Sequence, residues 1–223
     1  MQTKLKNLLY LDTKRVVAVA IVVALYVLLS WISKILNLAV FPVMPFLKIE
    51  LTDFLILLTV CLFGIIYASF LTISVSWLRI LYLGDSPIDA FALMLADLIF
   101  LFIFLLGDIF VNRIINCLIK DCASKKIDYL ITIINVTIAT IAVSFLMTLF
   151  NLLFICDMYA NFLHFPSETV QWFKSILIPV VIPFNLLKFS FNSAIFIVIY
   201  RAVIHLKKQF VITRSTKKKK TKE

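Results

Sequence analysis

An all-helical membrane protein, built as a bundle of six transmembrane helices with both termini in the cytoplasm, is the fold class this sequence predicts. Three observations lead there. Apolar residues fill 63% of the 223 positions and charged residues only 15%, against about a quarter charged in soluble domains. Several apolar runs reach the roughly 20 residues that a helix needs to cross about 30 Å of hydrocarbon. The basic residues gather in three separated segments, and that fixes the parity of the crossings.

Helix is favoured over a barrel because a helix satisfies its backbone groups internally, and the alternating pattern of barrel strands is absent. The first span runs from about Val16 to Leu36, behind Lys4, Lys6, Lys14 and Arg15. The interval Leu38 to Asp53 holds Pro42, Pro45, Lys48, Glu50 and Asp53; it reads as a connecting loop. Phe54 to Tyr82 fits either one long tilted helix or two short ones turning near Gly64. Further spans run from about 88 to 109, 127 to 155 and 173 to 204. The last contains Pro179 and Pro183 and is expected to kink or to start late.

Charge decides the count. Four basic residues precede the first span, four lie between Val111 and Lys126, and nine of the 22 lie between Arg201 and Lys222. All three segments face the cytoplasm only if an even number of spans separates them. Residues 54–82 must then divide into spans 54–66 and 67–82, which gives six. The organisation is a basic N-terminus (1–15), a membrane domain (16–206) and a polybasic tail (207–223). The net charge of +10 is therefore read as a tail against anionic lipid, not as a nucleic-acid surface. No cleavable signal peptide is expected, since the first apolar run is too long and lacks a small-residue cleavage site.

Polar residues inside a membrane are costly and mark function by default. Asn185, Lys188 and Asn192 recur at i, i+3 and i+7, on one face of the last span. Lys188 either snorkels to the interface or faces a cavity made tolerable by the carbonyl that Pro183 frees. Asn151 sits near the outer end of the fifth span. Asp97, inside the fourth, needs a partner or water. Ala20 and Ala24 form a small-xxx-small pair through which another helix can approach closely. Cys61, Cys117, Cys122 and Cys156, with His164 and His205, show no metal-ligand spacing. There is no phosphate-binding loop and no nucleophile or metallohydrolase motif, so neither an enzyme nor a metal or other cofactor is expected. Any solute movement would draw its energy from another subunit.

Three segments carry a resemblance. Phe41-Pro42 through Pro45-Phe46-Leu47-Lys48-Ile49-Glu50-Leu51-Thr52-Asp53 resembles the first external loop of the S-components, the substrate-binding subunits of energy-coupling-factor (ECF) vitamin transporters. Leu62-Phe63-Gly64 resembles their turn between spans two and three. Ile182-Pro183-Phe184-Asn185-Leu186-Leu187-Lys188 is similar to the opening of span six in riboflavin-specific members. The resemblance implies a multi-pass protein of the bacterial plasma membrane that binds riboflavin or a related flavin at its outer face. It implies partners too: one transmembrane coupling subunit and two ATPase subunits.

By the same resemblance Asn185, Lys188 and Asn151 meet the polar edge of the flavin, Phe46 and Leu47 close over it, and Ala20 and Ala24 pack on the coupling subunit. Asp97 joins the candidate substrate-binding set. The sequence departs from the riboflavin pattern at Ser76-Trp77, at Ala92 to Asp97, and at Phe189, where glycine is usual. The alternatives are another water-soluble vitamin, or a structural subunit whose polar residues hold helices together.

Overall fold

Tyr26, Ser30 and Ser33, spaced i, i+4 and i+7, are the buried residues of the first helix, while most of its Val, Ile and Leu side chains face outward. This inside-out sorting, with polar groups inward and aliphatic groups outward, recurs along the chain and suits a molecule whose solvent is lipid. The structure, a computed structural model, describes residues 13–36, 49–118 and 125–220, and the side chains of 16–36, 49–111 and 129–202. Phe46 and Leu47 lie outside the described residues.

In chain order the helices are α1 (Thr13–Leu36), α2 (Asp53–Phe63), α3 (Ile65–Tyr82), α4 (Pro87–Leu118), α5 (Lys125–Phe150), α6 (Cys156–Leu163) and α7 (Ser167–Lys220), with a π-helical turn (Asn151–Ile155) joining α5 to α6. Among the described residues, five apolar stretches are long enough to cross a membrane: Val16–Leu36, Ile65–Tyr82, Pro87–Val111, Tyr129–Leu163 and Ser167–Ala202. The eleven residues of α2 rise only about 16 Å, some half of the hydrocarbon thickness. That helix survives because it is central, with every residue from Asp53 to Val60 buried.

The break between α2 and α3 falls on Gly64, just ahead of the expected division between residues 66 and 67. Its backbone angles (φ 96°, ψ 175°) lie in a region that only glycine occupies without strain. The chain then doubles back, since Arg79 near the end of α3 reaches Glu50, three residues ahead of α2. Two helical runs extend beyond the expected spans. The fifth helical run passes through the π turn and ends at Leu163, where His164 turns left-handed (φ 54°). The last helix begins at Ser167 and runs unbroken through Pro179 and Pro183. Each proline lacks an N–H for the carbonyl four residues back, so the ladder loses bonds at Ser175 and Pro179 without ending.

Helix α5 packs between α4 and α7, α2 packs on α7 and α3, and α1 lies at the edge against α2 and α3. Aromatic rings fill the centre: Phe100 packs against Phe189 in a tilted pair at 4.8 Å, and Phe104 meets Phe196 edge-on at 6.1 Å. Gly107 lets α4 and α5 approach, because a Cβ there would stand 3.2 Å from the Asn135 side chain. The Asn135 amide, with its nitrogen toward α4, donates to Gly107 O and accepts from Asp108 N, both at 3.2 Å. Buried hydroxyls of Ser30, Thr59, Thr72, Ser144 and Thr148 donate to the carbonyl four residues back, so none needs a partner from elsewhere.

A Cβ on Gly64 would meet nothing within 4 Å, so substitution there tests the backbone alone. Gly64→Ala is expected to destabilise the protein by about 1–3 kcal/mol, read as a lower midpoint of thermal unfolding in detergent. An unchanged midpoint would show that the hairpin does not need this conformation.

Candidate functional site

The connections before α2 and between α3 and α4 bring acidic side chains to one end of the bundle, and two cations meet them there. The Arg79 guanidinium donates from Nη1 and Nη2 to Glu50 at 2.9 and 2.8 Å, and from Nε to Asp85 at 2.8 Å. It is 6% exposed, a burial that charged groups tolerate only when paired. Lys188 Nζ stands 3.3 Å from Asp53 Oδ2 and 5.1 Å from the centre of the Phe189 ring. Being 5% exposed, the ammonium does not snorkel; it is a buried ion pair between α7 and the first residue of α2.

Asn192 braces that pair. Its Nδ2 donates to Glu50 O at 2.7 Å and to Lys188 O at 3.1 Å, and its Oδ1 accepts from Phe54 N at 3.4 Å. Of the three polar residues spaced along this face, Asn192 thus serves the first turn of α2, where helix N–H groups lack intrahelical partners. Glu50 and Asp53, expected as loop charges, are instead buried members of this network.

Above it lies a cavity of about 140 Å³, lined by Glu50, Arg79, Asp85, Asp89, Ala92, Leu93, Ala96, Met147, Asn151, Ile155, Tyr159, Val181, Phe184, Asn185 and Lys188. Three of the sequence-predicted residues, Asn151, Asn185 and Lys188, come together in it. Asn151 sits on the π turn, a feature often found at functional sites, and its Nδ2 donates to Met147 O at 2.7 Å. That leaves its amide oxygen and one N–H to offer. Asn185 is 6% exposed and makes no hydrogen bond with any described residue. A buried primary amide has two donors and an acceptor to satisfy, so this one is set for something the chain does not supply.

Asp97 is 1% exposed and is not among the lining residues, although Ala96 beside it is; neither of its oxygens has a hydrogen-bond partner. Ser76 is also buried, with its hydroxyl unpaired. Phe189 is fully buried against Phe100, so the ring at that glycine position fills the α4–α7 contact and not the cavity. Ala20 and Ala24 lie on the exposed side of α1, unused by the bundle's own packing. Among the described residues, no group of three or more His, Cys, Asp or Glu side chains is arranged to hold a metal ion.

Sequence reasoning missed Glu50, Asp85, Asp89 and Tyr159 as lining groups. Asp89 accepts from Ser86 N and Ser86 Oγ at 3.2 and 2.7 Å, and from the Tyr159 hydroxyl. The pattern Ser86-Pro87-Ile88-Asp89 is a capping box with proline at the first helical position. It is legible as a helix start; its cavity role depends on α6 returning Tyr159 to the same place.

The chain was compared with known proteins on this basis. Residues 14–200 match the family model described as "ECF transporter, substrate-specific component". No curated protein sequence matches. Among solved structures, one described as "Structure and mechanism of the S component of a bacterial ECF transporter" is similar with a TM-score of 0.59. It is 23% identical and covers 87% of this chain and 97% of its own, a likeness of fold. The helical bundle, the buried polar cavity and the family match over most of the chain converge: the protein belongs to the substrate-specific S components of ECF transporters, and is a multi-pass, substrate-binding transporter subunit, not an enzyme.

Proposed function

We propose that this S component binds riboflavin or a related flavin at the outer face of a bacterial plasma membrane, with both its termini cytoplasmic. In this reading it delivers the flavin to a module of one transmembrane coupling subunit and two ATPase subunits. The observation that carries the reading is the buried amide of Asn185 in the cavity, without a hydrogen-bonding partner among the described residues, within the segment most similar to riboflavin-specific members. A flavin offers one apolar end and one edge of carbonyl and imide groups. Val181, Phe184, Ala92, Leu93 and Ile155 suit the first. Asn185, with the Asn151 carbonyl and the remaining ammonium protons of Lys188, complements the second.

Asp97 stands behind this group as a buried acceptor, and Phe46 and Leu47 would close the site from outside. The outward placement of Ala20 and Ala24 supports their use as the close-approach face for the coupling subunit. One observation favours a second reading. Glu50, Asp85 and Asp89 outnumber the two lining cations, which suits a cationic water-soluble vitamin such as thiamine.

Flavin absorbance and fluorescence of the protein purified from riboflavin-fed cells separate the two. Saturable riboflavin binding is expected. Absence of both co-purified flavin and binding of added riboflavin would overturn the flavin reading, and thiamine binding in its place would establish the second. Asn185→Leu should weaken flavin binding by about 1–3 kcal/mol, the cost of an unpaired buried partner, as measured by titration calorimetry. Ala20→Phe or Ala24→Phe should abolish uptake into cells while leaving binding by the isolated protein intact. Loss of binding in those variants would instead assign the alanines to packing within the bundle.

A further inference from the structure

Every cation that lines the cavity is already committed. Arg79 bridges Glu50 and Asp85, each at 2.8 Å, and Lys188 pairs with Asp53. Asp89 is different. Its partners are Ser86 N, the Ser86 hydroxyl and the Tyr159 hydroxyl, all neutral donors, and among the described residues no Lys or Arg forms an ion pair with it. The lining therefore carries three carboxylates against two cations, and one of those cations is also neutralised by Asp53 behind the wall. No cation that lines the cavity is left without a carboxylate partner to neutralise a phosphate.

We infer that Asp89 is a specificity-determining residue of this site: it accepts a hydroxyl or cationic group of the ligand and turns away the phosphorylated form. The inference rests on the substrate-binding reading of the cavity, and it deepens that reading by assigning the charge class of the ligand. The second observation behind it is independent of charge. The Asn185 amide, 6% exposed and without a hydrogen-bonding partner among the described residues, faces the same cavity and calls for a ligand there.

The physics is that of like charges in poor solvent. A phosphate brought toward a half-buried, uncompensated carboxylate is repelled, with little water to screen it. A polyol or an ammonium finds a strong acceptor. Tyr159 and Ser86 hold the carboxylate in place, so it cannot turn aside to relieve the repulsion. Arg79 cannot relieve it either, since donating to a phosphate would mean releasing Glu50 or Asp85.

The test compares matched pairs on the full-length protein in detergent: riboflavin against flavin mononucleotide, and thiamine against thiamine monophosphate. In whichever pair binds, the phosphorylated member should be weaker by about 100-fold or more, as expected for an opposed charge at low local dielectric. Asp89→Asn keeps an acceptor for the Ser86 cap and should cut that ratio to about tenfold or less. Asp85→Asn, which frees part of Arg79, should narrow it as well. A purely structural role for Asp89 would weaken both members alike and leave the ratio unmoved. Equal binding of the two members by the unaltered protein would overturn the inference while leaving the substrate-binding reading intact. Failure of all four compounds to bind would overturn both.

Discussion

A guanidinium held between two carboxylates fixes the end of this bundle on which everything else is built. Arg79 ties the segment before α2, the end of α3 and the connection to α4 into one knot. Such a cluster is weak evidence for net stability, because desolvation offsets most of the attraction. Removing one partner, however, costs about 3–5 kcal/mol. Its value is in specifying arrangement. An 11-residue helix, too short to find its depth by hydrophobic length alone, is held at one end by Glu50 and Asp53 and turned at the other by Gly64. Lys188 and Asn192 complete the anchorage from α7.

The rest of the molecule follows from the solvent it prefers. Between apolar helices in lipid there is little hydrophobic driving force, and association depends on close packing and shared polar contacts. The Phe100–Phe189 and Phe104–Phe196 pairs supply the first, and the Gly107–Asn135 approach supplies both. The inward-facing hydroxyls of Ser30, Thr59, Thr72, Ser144 and Thr148 bond to their own helices, which keeps polarity inside without demanding partners. Against that background the Asn185 amide, unpaired among the described residues, and the bare carboxylate of Asp97 stand out as unfinished chemistry.

Most of the fold was legible because its determinants are local or additive. Apolar length gives helices, and the distribution of lysine and arginine asks for an even number of spans, hence a division of residues 54–82 near Gly64. The Asn185–Lys188 face was legible because helical spacing is set by the backbone. What was not legible depends on residues far apart in sequence. Nothing in the local setting of Arg79 announces Glu50, 29 positions away. Asp53 sits in a proline-rich, charged interval and reads as loop until Lys188, from the last helix, buries it. Asn192 shares the spacing of ligand-facing residues but points at the first turn of α2, and spacing alone does not say which neighbour a face will meet.

The π turn carries one more consequence, of phase. Met147, Asn151, Ile155 and Tyr159 all line the cavity, each four residues beyond the last. On a regular α-helix a step of four overshoots a full turn by about 40°, so three steps carry a side chain roughly 120° around the axis. Those residues would spiral off the cavity wall. The wider winding of Asn151–Ile155 takes back part of that rotation and keeps them in one column, with Tyr159 at its end beside Asp89. The site thus depends on a count of residues as well as on their identities. Deleting Leu152, Leu153 or Phe154 from the turn would leave a good helix and every lining side chain in the sequence, yet it would rotate Tyr159 out of the column.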